Sequence, residues 1–319
     1  MTFQKSTSIF PSPGVAGARA SMNPVFSIVA GPWNLTTGAL GVVVGKFAWQ
    51  NLVAATGIST VNNFSPTAPV IPDGFVSNEQ QGLITTWLAD RSLVVPPGLP
   101  VTLYSRGDFW ANSVYGEAVV GNKVFANLFS GDIYAAPAGS FLTLALGSNA
   151  AFTATVAAYV MTVSAVASGV LQVGQQVSGA GLPFPCYIES LGTGTGGTGT
   201  YNLSQSATIA TGTAMTSVSP SGLGGFTGQA SFATSVMTVT VVTTGALAVG
   251  QIIQAAGVAA GTYISSLGTG TGGLGTYNLS TTPGTIAAEA TAASSWIETP
   301  WYVNSPGNVG DPIKIGVRN

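Results

Sequence analysis

A stretch of 44 residues is written twice in this chain. Residues 161–204 align without a gap on residues 237–280, and 27 of the positions are identical. Both copies end on a glycine–threonine tract followed by Thr-Tyr-Asn-Leu-Ser, at residues 191–204 and 267–280. Each opens with a β-branched run at Met161 or Met237 and turns at Gly169 or Gly245. Each then passes through Leu-x-Val-Gly-Gln into a Tyr-Ile segment. Short β-forming runs between glycine turns predict a small β-sandwich of about 70 residues per copy. Two copies are too few for a solenoid, so two separate beads are expected, at residues 149–218 and 229–294. Residues 219–228, rich in Gly, Ser and Pro, read as the linker between them.

The repeats hold almost no charge. Between Lys123 and Lys314 there is no Lys or Arg, and charged residues make up 6% of the whole chain. There is no His and a single Cys, Cys186. That composition removes the commonest general base, every Ser-His triad, an internal disulfide and a zinc site built from Cys and His. No cofactor or metal is expected. Cys186 reads as a small buried residue, at the position where the second copy has Thr262. A net charge of -2 offers no long-range attraction for nucleic acid or an anionic membrane. So weakly charged a surface is poorly protected against self-association, which suits permanent residence in an assembly. Residues 150–173 are apolar but interrupted by Thr, Ser, Gln and Gly, so they read as strands and not as a membrane span. The first residues lack the apolar core of a signal peptide.

The rest of the chain is organised around the repeats. Residues 1–25 read as an extended arm, because Pro11, Pro13, Gly14, Gly17 and Pro24 are too closely spaced for a helix or a long strand. Residues 26–148 read as all-β. Val101 to Arg106 alternates apolar and polar, and turn signals recur at Pro72-Asp73-Gly74, Pro96-Pro97-Gly98, Arg106-Gly107-Asp108 and Ser130-Gly131-Asp132. Residues 78–91 fit helix and strand equally. Residues 295–319 recover the aromatics and alternation of the first part. The simplest plan is one β core, residues 26–148 plus 295–319, with the two repeats inserted. The fold class is therefore all-β: a sandwich or barrel core, an extended N-terminal arm and two small inserted β-sandwich repeats.

Motifs that would carry chemistry fail on context. Gly192, Gly194 and Gly197 satisfy G-x-G-x-x-G, as do Gly268, Gly270 and Gly273. A dinucleotide site needs a helix after the glycines and an acid about 20 residues on. Here a strand-like Thr-Tyr-Asn-Leu-Ser follows, so the tract reads as a long flexible hairpin loop. Gly45-Lys46-Phe47 lacks the spacing of a phosphate loop. The ten acids show no calcium-loop spacing, and nothing favours a glycosidase carboxylate pair. Tyr201 and Tyr277 fit either strand-packing residues or exposed platforms for a sugar ring.

The non-repeat parts resemble the structural cement proteins of tailed bacteriophages. The resemblance rests on Phe10-Pro-Ser-Pro-Gly-Val-Ala-Gly17 with Asn23-Pro24, Gly45-Lys-Phe-Ala-Trp49, Gly74-Phe-Val76 with Glu79-Gln-Gln81 and Leu83-Ile-Thr85, Pro100-Val-Thr-Leu103 with Gly107-Asp-Phe-Trp110, Glu298-Thr-Pro-Trp-Tyr-Val303 and Gly310-Asp-Pro-Ile-Lys-Ile315. It covers residues 1–145 and 295–319, and the repeats depart from it. It implies a jelly-roll-like domain on the capsid exterior of a virion, made in the host cytoplasm, with no catalytic residues. The implied partners are the major capsid protein and further copies of the chain. The mechanical expectation is that the protein bridges adjacent capsid subunits, its repeats projecting outward. An extended arm can add a strand to a neighbour's sheet edge. Ile9, Phe10, Pro11, Pro13 and Phe26 are its candidate contacts, and Arg19 is expected to meet a capsid carboxylate. The alternative is a tail-fibre or adhesin-like protein whose repeats hold host glycans.

Overall fold

The computed structural model describes residues 14–30, 34–53, 58–65, 68–80, 93–113, 117–143, 150–171, 175–183, 186, 188–218 and 225–318. Every regular element among them is a β-strand. Most of the segment left open between helix and strand, residues 81–91, lies outside the described residues.

Two sheets face each other in the core. One runs in the order Phe26–Ser27, Leu103–Arg106, Gly74–Val76, Phe47–Val53, Ile58–Asn62, Thr36–Thr37. The other runs Ile133–Ala136, Lys123–Asn127, Trp296–Val303, Pro312–Val317, Asp108–Asn112. The two C-terminal strands thus sit inside the second sheet, paired with strands that precede both repeats in the chain. Strand alternation sorts the side chains. Phe47, Trp49, Phe75, Phe109, Ala111, Val124, Ala126, Trp301, Val303, Ile313 and Ile315 fill the space between the sheets. Ala48, Val76 and Leu103 point the other way, into a second apolar layer with Val42 and Val95. Four aromatic rings lock the sheets together. Phe47 meets Phe75 at 5.6 Å and Trp301 at 5.8 Å, both edge-on, and Phe109 lies 5.3 Å from Phe75. These are the favoured separations for ring pairs.

The repeats fold on one plan. In the first, Ala150–Ser168 pairs with Gly199–Val218, and Gln176–Gly179 and Ile188–Leu191 pair with the same long strand. In the second, a six-stranded sheet keeps the register of the first: Met161 faces Tyr201, and Met237 faces Tyr277. The matched residues Ala158 and Thr234 both have positive φ, 52° and 54°, the first at a register shift inside Ala150–Ser168 and the second in the turn between Gly225–Ala233 and Val236–Gly245. Such a conformation is uncommon outside glycine, so its recurrence marks a position fixed by the surrounding pairing. They differ at two places. Ala150–Ser168 is continuous, whereas its counterpart is split into Gly225–Ala233 and Val236–Gly245. Gly199–Val218 is continuous, whereas its counterpart splits into Gly275–Leu279 and Ile286–Ser294. Ala207 pairs with Ala158, but the equivalent residue is Pro283, which has no N–H for a ladder.

The expected linker is partly strand. Gly225–Ala233 begins at Gly225 and pairs on both sides, with Val236–Gly245 and Ile286–Ser294. Its glycines serve close packing. A Cβ on Gly228 would meet the Val241 carbonyl oxygen at 2.1 Å, and one on Gly225 would lie 2.5 Å from Thr143. The second unit also abuts the core. Ala248 belongs to the inter-sheet cluster, Leu128 N–H donates to the Ser295 carbonyl at 2.8 Å, and the Gln251 amide donates to Ser295 Oγ at 3.1 Å. Cys186 and Thr262, the matched pair, are both fully buried.

Candidate assembly surface

The described arm lies along its own chain. Gly17 N–H donates to the Trp110 carbonyl at 2.7 Å, Trp110 N–H to the Ala18 carbonyl at 2.8 Å, and Ala20 N–H to the Asp108 carbonyl at 2.8 Å. Residues 17–20 therefore extend the second sheet beyond its last strand, Asp108–Asn112. Gly17 is required here. Its φ is 85°, and a Cβ would come within 2.4 Å of Val44.

Three polar side chains of this segment bond back to acids of the body. Ser21 Oγ and Asn23 Nδ2 both donate to one oxygen of Asp108, each at 2.7 Å. The Arg19 guanidinium donates to Glu79 at 2.9 and 3.2 Å. That contact, the hydrogen bond first and the charge second, holds Arg19 above its ordinary pKa. Arg19 thus already has a carboxylate in its own chain, where a capsid carboxylate was expected. The pair is about half exposed and contributes little to stability.

The apolar side chains turn outward. Met22 is fully exposed, Val29 is 91% exposed and Phe26 57%, while Val25 and Ile28 pack onto the two core layers. Hydrogen bonds from Arg19, Ser21 and Asn23 tie the strap to the body, Arg19 and Asn23 staying exposed, while Met22, Phe26 and Val29 face solvent. Of the expected contacts, Phe26 falls in this row. Ile9, Phe10, Pro11 and Pro13 lie outside the described residues. Nothing in the sequence marked Met22, Val29 or Ser21, and Asn23 stood there only as part of a motif. Asp108 was legible there as a turn residue and as part of the Gly107–Trp110 motif but not as an anchor, since nothing local links it to Ser21 and Asn23, 87 and 85 positions earlier.

Lys46, Lys123, Lys314 and Arg318 make contacts within the chain. Lys46 pairs at 2.8 Å with Asp132, which is 3% exposed and also accepts from Ser130 Oγ at 2.8 Å. Lys123 sits 4.0 Å and Arg318 4.9 Å from the centre of the Tyr302 ring, and Lys314 lies over Trp110 at 5.1 Å. These are cation–π distances. Among the described residues no three acids or cysteines gather as a metal site would require.

The glycine–threonine tract is ordered, not a flexible loop. Thr193 and Thr200 bond reciprocally, each backbone N–H donating to the other's Oγ1 at 2.9 and 3.0 Å. The Tyr201 hydroxyl accepts from Gly196 N–H at 3.0 Å and donates to the Gly197 carbonyl at 2.7 Å. The second copy repeats the set. Thr269 and Thr276 bond at 2.9 and 3.0 Å, and the Tyr277 hydroxyl meets Gly272 at 2.9 Å and Gly273 at 2.7 Å. A Cβ on Gly194 or Gly270 would strike the tyrosine ring at 2.4 or 2.3 Å. The glycines make room for a ring, and both tyrosines are fully buried. That rules out their use as sugar platforms. Burial also pushes the Tyr277 hydroxyl up to about 12, opposed in part by the Gly272 hydrogen bond.

A two-sheet β core with an outward apolar strap and internally spent charges is the build of an assembly component, and the class it falls in is the bacteriophage virion structural protein. The chain belongs to the XM1 gp53 minor capsid protein family, whose model matches residues 3–175, just over half of it. The match spans the arm and the first core strands and ends inside the first repeat. No curated protein matches the chain.

Proposed function

We propose that this capsid protein sits on the outside of the shell and bridges adjacent major capsid subunits, with the row Met22, Phe26 and Val29 against the shell and the repeats directed outward. The observation that carries this reading is the row of exposed large apolar side chains, Met22, Phe26 and Val29, on a strap tied to the body by hydrogen bonds to Asp108 and Glu79. Exposed apolar surface of that kind marks a contact with another molecule. In this reading the segment before Gly14 reaches a neighbour, with Ile9 and Phe10 as further apolar contacts. Each contact is weak, and copies acting together around a shell supply the strength. The glycan-binding alternative loses its best residues with the burial of Tyr201 and Tyr277.

The test is location on purified particles by gold-labelled antibody against residues 150–293. Label spread over intact heads is the expected result. Label at tail tips, or appearing only after heads are opened, overturns the exterior placement. A Met22→Ser/Phe26→Ser double variant is expected to lower the copies retained per head at least about tenfold, the effect of losing roughly 1.4 kcal/mol or more of apolar contact.

A further inference from the structure

The two repeats meet head to tail, and this leaves one unmatched face on each. A crevice of about 320 Å³ separates them. Its first wall is the loop of residues 177–183 in the first unit, and its second wall is formed by Val249 and residues 265–268 of the second. These are different parts of the common plan. By the offset between the copies, the first wall corresponds to residues 253–259 of the second unit. The run at 265–268 corresponds to residues 189–192 of the first.

Both counterparts are uncovered. Leu191 and Leu267 occupy the same register position, opposite Tyr201 and Tyr277. Leu267, beside the crevice, is partly buried, whereas Leu191 is 45% exposed. At the other end Gln254 and Ala256 are exposed, next to a groove of about 720 Å³ lined by Ala255, Ala290 and Ala292. The backbone supports the equivalence, since Gly181 and Gly257 share a positive φ of 85° and 77°.

We infer that the wall at residues 190–192 of one copy docks against the loop at residues 253–259 of a second copy, repeating between molecules the joint that exists within each. A heterologous contact of this type is not self-satisfying, and it propagates into rings or chains. The partner is a second copy because the existing joint is the template for the surface. The chemistry agrees. Inside the chain the joint places Ser178 and Ser265 on opposite walls. In sequence, the position matching Ser178 is Gln254, an exposed amide. Neither unit holds a Lys or Arg, so cationic repulsion does not oppose the approach. The docking is the same whichever side of the shell the protein occupies.

Sedimentation of the purified full chain over a concentration series to roughly 1 mM tests it, that range reaching contacts worth about 4 kcal/mol. Species growing beyond dimer are expected. Leu191→Arg blocks one face and Ala256→Arg the other, so each variant alone is expected to stay monomeric. Mixed in equal amounts they should form a dimer and nothing larger, because each keeps the face the other has lost. A wild-type chain monomeric throughout overturns the inference. So does association that survives both variants, or a mixture that yields no dimer. Should an arginine variant fail to fold, Leu191→Ser and Gln254→Ala test the same walls, each expected to weaken association roughly fivefold, about 1 kcal/mol of lost contact.

Discussion

The core sandwich and the repeats solve the same problem with different means. The core is joined by strands drawn from either side of both repeats, by four interlocked aromatic rings and by the ion pair of Lys46 with buried Asp132. Each repeat closes on itself within about 70 residues. Its aromatic residue anchors a loop of its own strand turn, where a threonine pair and a tyrosine hydroxyl bond backbone groups. Both bury an apolar cluster, to which the core adds rings interlocked across two sheets and each repeat adds the backbone bonds of its glycine–threonine tract. The lesson is that a nearly uncharged chain can still specify structure sharply, provided its glycines are placed where side chains must pass.

The strongest way to break that contrast is Trp301→Ala. It removes the ring that touches Phe47, Phe75 and Phe109, and a cost of about 3–5 kcal/mol is expected. Denaturant unfolding followed by tryptophan emission and by tyrosine signals should show the core lost first and the repeats retained. Simultaneous loss of both would show that the core supports the repeats. Next comes Gly194→Val, which sets a side chain against the Tyr201 ring. Overpacking of this kind costs roughly 2–3 kcal/mol, confined to the first unit and readable by amide exchange of residues 191–204. Gly270→Val should do the same to the second unit alone.

Lys46→Met is expected to cost about 2 kcal/mol in the core by equilibrium unfolding. That is less than for a fully buried pair, because Lys46 is partly exposed and Asp132 keeps its Ser130 bond. The smallest effect is Tyr277→Phe, about 1 kcal/mol at neutral pH from the lost hydrogen bonds. Its pH dependence has a definite sign. The folded chain holds the phenol proton more tightly than the unfolded one, so this contribution is complete below pH 10 and is lost as pH rises through about 12. The variant should show a shallower fall in stability across that window.

The all-β class and the repeat period were legible because both are written in short-range pattern: β-branched runs, glycine turns and a fixed offset. The role of the tract glycines was not. A glycine tract reads as flexibility unless the residue it accommodates is known, and Tyr201 reaches Gly196 only because the loop folds back. The contact between Arg19 and Glu79 spans 60 positions, and that between Asn23 and Asp108 spans 85, so no local signal announces either. The outward face of Met22 and Val29 was hidden for the same reason. Which side of an extended segment meets solvent depends on the edge it lies against.

That edge has a consequence for the chain before it meets any shell. The outermost strand of a sheet presents a row of free N–H and C=O groups, and such rows template aggregation, which most proteins discourage with edge charges. This chain has few charges to place there. Residues 17–20 occupy the edge of Asp108–Asn112 instead, held by Asp108 and Glu79. The strap thus stands where an incoming strand would otherwise pair with Asp108–Asn112.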